Sequence, residues 1–250
     1  MINFKYILSL AQMGNLTSTF IPHNLSLHRI RFSDTHSVSI FCDPIATKRE
    51  NPHSDEIISP LKNTTILSVE TDPEGGIVAF ALWPGALHMT RQLLFTNLNL
   101  FEGKRVIELG CGVGLPGICI GKFSKPSEIV LTDRASSRKT VEASIGLNDV
   151  STICRFEPFD WGNDRDLKSF SSQYFDYVIG SEIVYAEEQA PLVNALMAVT
   201  ETAPDTTRVI LSYTNRSGSD AEYFESEIMK KFKIDEKISE NIFIFSRIIA

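Results

Sequence analysis

The fold of this chain is decided by residues 106–117, whose sequence is VIELGCGVGLPG. An apolar strand, predicted at about 105–109, runs into four glycines within eight positions and then into a helix that begins near Leu115. A strand, a glycine-rich turn and a helix together form the place where an open α/β sheet binds its ligand. Glycines are needed there because the backbone approaches the ligand closely, at dihedral angles that a Cβ would forbid. The turn therefore predicts a ligand site.

Strands and helices alternate along the chain on both sides of this turn. Strands are predicted at about 105–109, 128–132, 152–156, 175–180, 207–213, 232–236 and 242–249, and helices at about 84–97, 115–123, 135–146, 191–200 and 220–231. Such alternation is typical of a parallel sheet with helices on both faces. The last two strands have no helix between them and predict an antiparallel hairpin at one edge. We therefore predict an α/β, Rossmann-like, doubly wound seven-stranded sheet, mostly parallel, with an antiparallel C-terminal edge strand.

The first 60 residues have a different pattern. Short alternating runs at 27–32 and 38–42 predict edge strands, and three prolines within 44–60 predict a loop. A second strand pair is predicted at 65–70 and 77–82, with a turn at 72–76. We expect a small N-terminal β extension over 1–60 and one larger domain over 61–250.

An acidic residue, Glu108, stands two positions before Gly110 and bears on the choice of ligand. The glycines at 112, 114 and 117 match a dinucleotide fingerprint, in which a helix N-terminus faces a pyrophosphate. A carboxylate at the strand end would repel a pyrophosphate, whereas it would attract the α-ammonium group of S-adenosylmethionine. This interpretation favours the methyl donor, with a nicotinamide-dependent oxidoreductase as the alternative.

A second acidic residue, Asp133, ends the next predicted strand, 25 residues after Glu108. That separation is about one strand–helix–strand unit, so both residues are expected at the same edge of the sheet. A carboxylate at this place can accept hydrogen bonds from both hydroxyls of a ribose. The alternative is that Asp133 only caps the helix that follows.

Four features resemble the seven-β-strand S-adenosylmethionine-dependent methyltransferases, and more narrowly the non-SET protein-lysine methyltransferases. They are Trp83 before Pro84-Gly85-Ala86, the glycine turn, Phe159-Asp160-Trp161-Gly162 after the third strand of the sheet, and Gly180-Ser181-Glu182-Ile183-Val184-Tyr185 after the fourth. The resemblance covers about residues 65–250. It implies transfer of a methyl group from S-adenosylmethionine to a lysine side chain of a protein.

The resemblance also implies a set of cofactor-binding residues. They are Trp83, Glu108, Gly110, Cys111, Gly112, Asp133, Trp161 and Ser181. Asp133 is expected to hold the ribose, Trp161 to lie near the adenine, Ser181 to close the methionine side, and Glu108 to serve the amino group.

Two residues after the fourth strand are the implied catalytic residues, Glu182 and Tyr185. The signature of the family at this place is Asp-x-x-Tyr, so Glu182 keeps the charge on an arm one methylene longer. Glu182 is expected to orient the substrate ammonium and then the free amine. Tyr185 is expected to line an aromatic pocket and to favour the cation by cation–π contact.

The composition of the chain limits which binding partners and which cellular locations are expected. The formal net charge of −7 argues against a non-specific nucleic-acid binder and is compatible with a basic protein segment as substrate. The four cysteines form no C-x-x-C pair, no H-E-x-x-H spacing suggests a metal, and no apolar run has the ~20 residues of a membrane span. The N-terminal residues also lack the pattern of a signal peptide. We expect a cytoplasmic monomer that needs no metal, nucleic acid or membrane.

Other functions on the same fold stay open. One alternative is a catalytically inactive, methyltransferase-like binding module. The glutamate at 182, in place of the aspartate of the family signature, supports this alternative. The chain could also methylate another amino acid or a small molecule. A Ser-His-Asp hydrolase is disfavoured because all five histidines precede residue 90, outside the strand ends of the main sheet.

Overall fold

The computed structural model describes residues 22–53, 58–60, 67–70, 78–96, 98–184, 190–213 and 220–249. Its strands are β1 (Pro22–Arg31), β2 (Ser37–Cys42), β3 (Ile58–Pro60), β4 (Leu67–Glu70), β5 (Arg105–Glu108), β6 (Glu128–Asp133), β7 (Cys154–Pro158), β8 (Tyr177–Ser181), β9 (Arg208–Ser212), β10 (Phe232–Ser239) and β11 (Ile242–Arg247). Its α-helices are α1 (Pro44–Glu50), α2 (Pro84–Thr96), α3 (Leu115–Phe123), α4 (Arg138–Leu147), α5 (Asp164–Ser171), α6 (Ala190–Val199) and α7 (Asp220–Ile228).

The main sheet has seven strands in the order β10-β11-β9-β8-β5-β6-β7. Strands β5 to β9 run parallel to one another, and β11 lies antiparallel between β9 and β10. The predicted α/β fold is confirmed, and the hairpin at the edge places β10 outermost. The chain builds the sheet outward from β5 through β6 to β7, and then crosses to β8 on the other side. Such a reversal opens a crevice at the carboxyl ends of the strands.

Alternating side chains of the central strands build a core on each face of the sheet. On β5, Val106 joins the cluster that contains apolar residues of α2, α3 and α4, whereas Ile107 joins the cluster with α5, α6 and α7. On β6, Ile129 and Leu131 face the first cluster and Val130 the second. Both faces of the strands are therefore covered by helices, as the apolar runs of the sequence predict.

The N-terminal strands form a second, smaller sheet in which β1 pairs antiparallel with β2, β3 and β4. The predicted strands at 27–32 and 38–42 are confirmed. This sheet packs on α4: Val38 and Ile40 share a hydrophobic cluster with Val141. The boundary between an extension and a domain near residue 60 stays a prediction.

The predicted loop over 44–60 is wrong, because it contains α1 and the short strand β3. Asp43 caps α1 by accepting hydrogen bonds from the N–H groups of Ile45 and Ala46, both at 2.8 Å. Pro44 occupies the first helical turn, where its missing N–H costs nothing. The prolines therefore start the helix and do not exclude one.

The predicted strand at 77–82 is also wrong. Residues Val78–Phe80 form a 3-10 helix, and β4 pairs with β1 instead. The backbone of this segment is bound by the α1 region, since the Phe80 carbonyl accepts from the Asp43 N–H at 2.8 Å and the Leu82 N–H donates to Thr47 Oγ1 at 3.1 Å. The predicted turn at 72–76 lies outside the described residues.

The buried Asn148 side chain joins β2 of the small sheet to the end of α4 and yields a test of this packing. Its Oδ1 accepts from the Ser39 N–H at 3.0 Å, and its Nδ2 donates to the carbonyls of Ser39 and Ser144 at 2.7 and 2.8 Å. We expect Asn148→Ala to lower the free energy of unfolding by about 1–3 kcal/mol, because buried backbone groups lose their partners. Urea denaturation measures this, with the exposed Ser151→Ala as control. A loss no larger than that of the control would contradict the packing.

Candidate active site

The parallel strands β5 to β9 end at one edge of the sheet, and the residues after them form the candidate site. The residues at or just after these ends are Glu108-Leu109-Gly110, Asp133, Phe159-Asp160-Trp161, Ser181-Glu182 and Ser212-Tyr213. The predicted cofactor residues Glu108, Gly110, Asp133, Trp161 and Ser181 are thus brought to the same edge. Trp83 is at the start of α2, and its carbonyl accepts from the Ala86 N–H at 3.1 Å.

The glycine turn is held by β6. Gly110 and Gly112 have φ angles of 59° and 54°, in the left-handed region that glycine adopts without steric cost. Between them, the Cys111 N–H donates to the Thr132 carbonyl at 2.9 Å, and the Gly112 N–H donates to Asp133 Oδ2 at 2.7 Å. The turn therefore has a fixed shape that depends on its glycines and on the end of the neighbouring strand.

Asp133 is a half-buried carboxylate that faces the glycine turn. Its Oδ1 accepts from the Arg134 N–H at 2.7 Å, while Oδ2 accepts from Gly112. Burial raises the pKa of Asp133, and the two backbone N–H groups oppose that rise. A carboxylate has about four lone-pair directions, so two hydrogen bonds leave room for further donors such as ribose hydroxyls.

Trp161 packs over the turn at Gly110. A Cβ added at Gly110 would lie 3.3 Å from Cζ2 and Cη2 of Trp161 and 2.7 Å from Cγ2 of Ile183, so the two side chains use the space that the glycine leaves. The Trp161 Nε1 is buried and has no hydrogen-bond partner among the described residues. The half-buried indole ring offers an apolar surface that suits a planar heteroaromatic group such as adenine.

The carboxyl group of Glu108 is buried against the first turn of α3. Its side chain is 1% exposed, and Oε2 accepts from the Gly117 N–H in the first turn of α3 at 2.8 Å. The pKa of Glu108 is raised to about 8, chiefly by burial. The hydrogen bond from the Gly117 N–H opposes this rise, and the charge of Asp133 adds to it. The carboxyl group thus holds α3 against β5, and its service to a cofactor amino group stays a prediction.

Cys111 and Ser181 occupy two further places in the site. Cys111 is buried, and burial raises the pKa of its thiol well above the ordinary value, so the thiol stays protonated and is no nucleophile. Ser181 ends β8 opposite Ser212 of β9 and is half-buried. Its contact with a cofactor stays a prediction.

Glu182 has a constrained backbone. Its φ of 57° is unusual for a residue with a side chain and costs about 1–2 kcal/mol. The Glu182 N–H donates to the Ser212 carbonyl at 2.7 Å, which fixes the residue at the end of β9. Strained residues of this kind concentrate at functional sites. The other predicted catalytic residue, Tyr185, lies outside the described residues.

Three residues that the sequence analysis left unassigned also take part in the geometry. Ile183 contacts the turn at Gly110, the carbonyl of Ala79 lies against Gly112, and Gly85 lies against the Glu182 side chain. A Cβ at Gly112 would lie 3.1 Å from that carbonyl oxygen. The sequence gives a signal for Gly85, because Pro84-Gly85 is typical of a helix start. It gives no signal that Ala79 lies near the turn.

The open sheet, the glycine turn and the carboxylates at its edge define an α/β methyltransferase fold. Two solved structures support this class. A structure described as an S-adenosyl-L-methionine-dependent methyltransferase of Methanococcus maripaludis aligns with a TM-score of 0.51, 14% identity and coverage of 65% of this chain and 86% of that one. The mitomycin 7-O-methyltransferase MmcR aligns with a TM-score of 0.52, 13% identity and coverage of 71% and 58%.

The chain belongs to the lysine methyltransferase family, whose model matches residues 61–231. EEF1A lysine methyltransferase 3 of Xenopus tropicalis is 28% identical over 168 residues, which cover 66% of this chain and 70% of the relative. Protein N-lysine methyltransferase METTL21A of Danio rerio is 30% identical over 162 residues, which cover 64% and 71%. The resemblance inferred from the sequence is confirmed.

Within the described ranges, no helix is both long enough and apolar enough to cross a membrane. The cytoplasmic location and the monomeric state stay predictions.

The raised pKa of Glu108 predicts how stability depends on pH. Because the pKa rises from 4.5 to about 8 on folding, the folded state binds one more proton than the unfolded state between these values. Stability is therefore lost as the pH rises through this window, by up to about 1.4 kcal/mol per pH unit. We expect Glu108→Gln to remove this slope while keeping an acceptor for Gly117. Urea denaturation between pH 5.5 and 8.5 measures it.

The control for this experiment is Glu102→Gln, at an exposed position. It should leave the slope of the wild type unchanged. Parallel curves for the wild type and Glu108→Gln would contradict the buried, protonated state of Glu108.

Proposed function

We propose that this chain transfers a methyl group from S-adenosylmethionine to the side-chain amine of a lysine in a protein substrate. Membership of the lysine methyltransferase family supports the reaction. One structural observation carries the proposal. The glycine turn, Asp133, Trp161 and Glu182 lie together at one edge of the sheet. Together they offer a place for a nucleoside and, beside it, a carboxylate for an amine.

The described residues fit the proposed cofactor. Asp133 has acceptor capacity left for the two ribose hydroxyls, and the half-buried indole ring of Trp161 suits the planar adenine. The positive φ angles at Gly110 and Gly112 give the backbone its tight turn at this edge of the sheet. We place Trp83, Cys111 and Ser181 along the remainder of the cofactor site. When bound, S-adenosylmethionine supplies an electrophilic methyl group on a positively charged sulfur.

On the acceptor side of the site, where the substrate lysine binds, the protein has to provide a neutral amine in line with that methyl group. Deprotonating a lysine of pKa about 10.4 at pH 7 costs roughly 4.6 kcal/mol. Glu182 is proposed to bind the ammonium, which loses its proton to solvent, and then to orient the free amine. The amine lone pair forms the new bond to the methyl carbon as the bond from that carbon to sulfur breaks, and S-adenosylhomocysteine leaves. Tyr185, three positions further along the chain, is proposed to contact the substrate lysine and to hold the incoming ammonium by cation–π contact.

A carboxylate-to-alanine substitution tests the proposed role of Glu182. We expect Glu182→Ala to reduce methyl transfer about 100-fold or more, because the amine loses the group that orients it, while the Kd of S-adenosylhomocysteine changes less than about two-fold. The assay measures tritium transfer from labelled S-adenosylmethionine into purified EEF1A, the protein in the name of the Xenopus relative, and into a eukaryotic lysate. Isothermal titration calorimetry measures the Kd.

The matched control is Glu102→Ala, at an exposed position outside the site, which should keep the wild-type rate. Full turnover by Glu182→Ala would refute the role of this carboxylate. If the wild type binds S-adenosylhomocysteine but labels no protein, the chain is better described as a binding module or as a methyltransferase with a different acceptor.

A further inference from the structure

We propose that Gly85 is a positioning residue of the methyl-transfer site, because the missing side chain at 85 determines where the Glu182 carboxylate lies. The inference rests on the proposed function, which gives Glu182 its role at the acceptor amine. Gly85 is buried in the first turn of α2, two residues after Trp83.

The space at Gly85 is filled by the Glu182 side chain. A Cβ added at Gly85 would lie 2.6 Å from Glu182 Cδ and closer still to its Cγ and Oε1. Real Cβ atoms essentially never approach another heavy atom to less than 3.0 Å. Any residue other than glycine at 85 therefore forces the carboxylate of Glu182 to a different place.

The backbone of Glu182 has little freedom to absorb such a change. Its φ of 57° is held by the N–H bond to the Ser212 carbonyl. The next residue, Ile183, is 5% exposed and wedged between Gly110 and Gly180: a Cβ at either glycine would lie within 2.7 Å of its side chain. A side chain at position 85 is therefore expected to rotate the side chain of Glu182, and its carboxylate with it, and to leave the backbone in place.

Gly85 and Glu182 therefore form a matched pair. Glutamate is one methylene longer than the aspartate of the signature that this chain resembles, and its Cγ, Cδ and Oε1 all lie over the glycine. This places the carboxylate at the first turn of α2, where the partial positive charge of a helix N-terminus favours an anion. The longer acid at 182 is thereby held in a defined position on the acceptor side of the site.

A double-mutant cycle tests the pair, using Gly85→Ala, Glu182→Ala and the combined variant. The matched control is Gly146→Ala, because Gly146 is a helical glycine with open space around the position of a Cβ. Three quantities are measured: the initial rate of tritium transfer into purified EEF1A and lysate protein, the Kd of S-adenosylhomocysteine, and the thermal midpoint.

We expect Gly85→Ala to lower the rate at least ten-fold with a change of less than two-fold in the Kd. In the Glu182→Ala background, the same substitution should leave the residual rate unchanged, because the displaced carboxylate is already gone. Gly85→Ala should lower the thermal midpoint of the wild type and should leave unchanged or raise that of Glu182→Ala. Gly146→Ala should keep the wild-type rate.

A full rate for Gly85→Ala, or an equal loss of rate in both backgrounds, would overturn the proposal. Failure of the proposed function has a different signature: no methyl transfer by the wild type, or a wild-type rate for Glu182→Ala. The thermal midpoints then still decide whether the two residues are coupled. Equal shifts in both backgrounds would refute the pair, and a shift that depends on Glu182 would support it.

Discussion

The hydrogen bond from the Gly112 N–H to the Asp133 carboxylate, 2.7 Å long, ties the glycine turn after β5 to the end of β6. Two further bonds reinforce it: the Cys111 N–H donates to the Thr132 carbonyl, and Thr132 Oγ1 donates to the Glu108 carbonyl at 2.7 Å. These bonds join adjacent strand ends and determine where the turn passes and where α3 begins. The candidate site depends on this junction, because the turn and Asp133 both lie at the carboxyl edge of the sheet.

From this junction a continuous series of contacts reaches the proposed acceptor side. Gly110 leaves room for Trp161 and Ile183, and Ile183 follows directly after Glu182. The Glu182 side chain in turn lies on Gly85 in the first turn of α2. The proposed cofactor residues and the proposed catalytic carboxylate are thus connected by packed atoms. A change at the turn is expected to reach Glu182 through Ile183.

The main sheet could be predicted from the sequence because local patterns determine it, namely apolar strands, helical periodicity and one glycine turn. The prediction failed where partners are remote in the sequence. Residues 77–82 are a continuous apolar run of the kind found in buried strands, yet their backbone groups bond to Asp43 and Thr47. The prolines of 44–60 predict a loop, whereas Asp43 and Pro44 in fact start a helix. The contact of Gly85 with Glu182 and the burial of Glu108 beneath α3 arise only from the folded arrangement. No local pattern reports them.

Binding of S-adenosylhomocysteine is the central claim of this account, and a thermal-shift titration with NADH as the parallel ligand tests it most directly. At a hundredfold excess over its Kd, a ligand adds about 2.7 kcal/mol of stability, or roughly 5–10 °C for a chain of this size. The account predicts such a shift with S-adenosylhomocysteine alone, and a much smaller one for Asp133→Asn at the same ligand concentration. A shift with NADH alone, or with neither ligand, would contradict it.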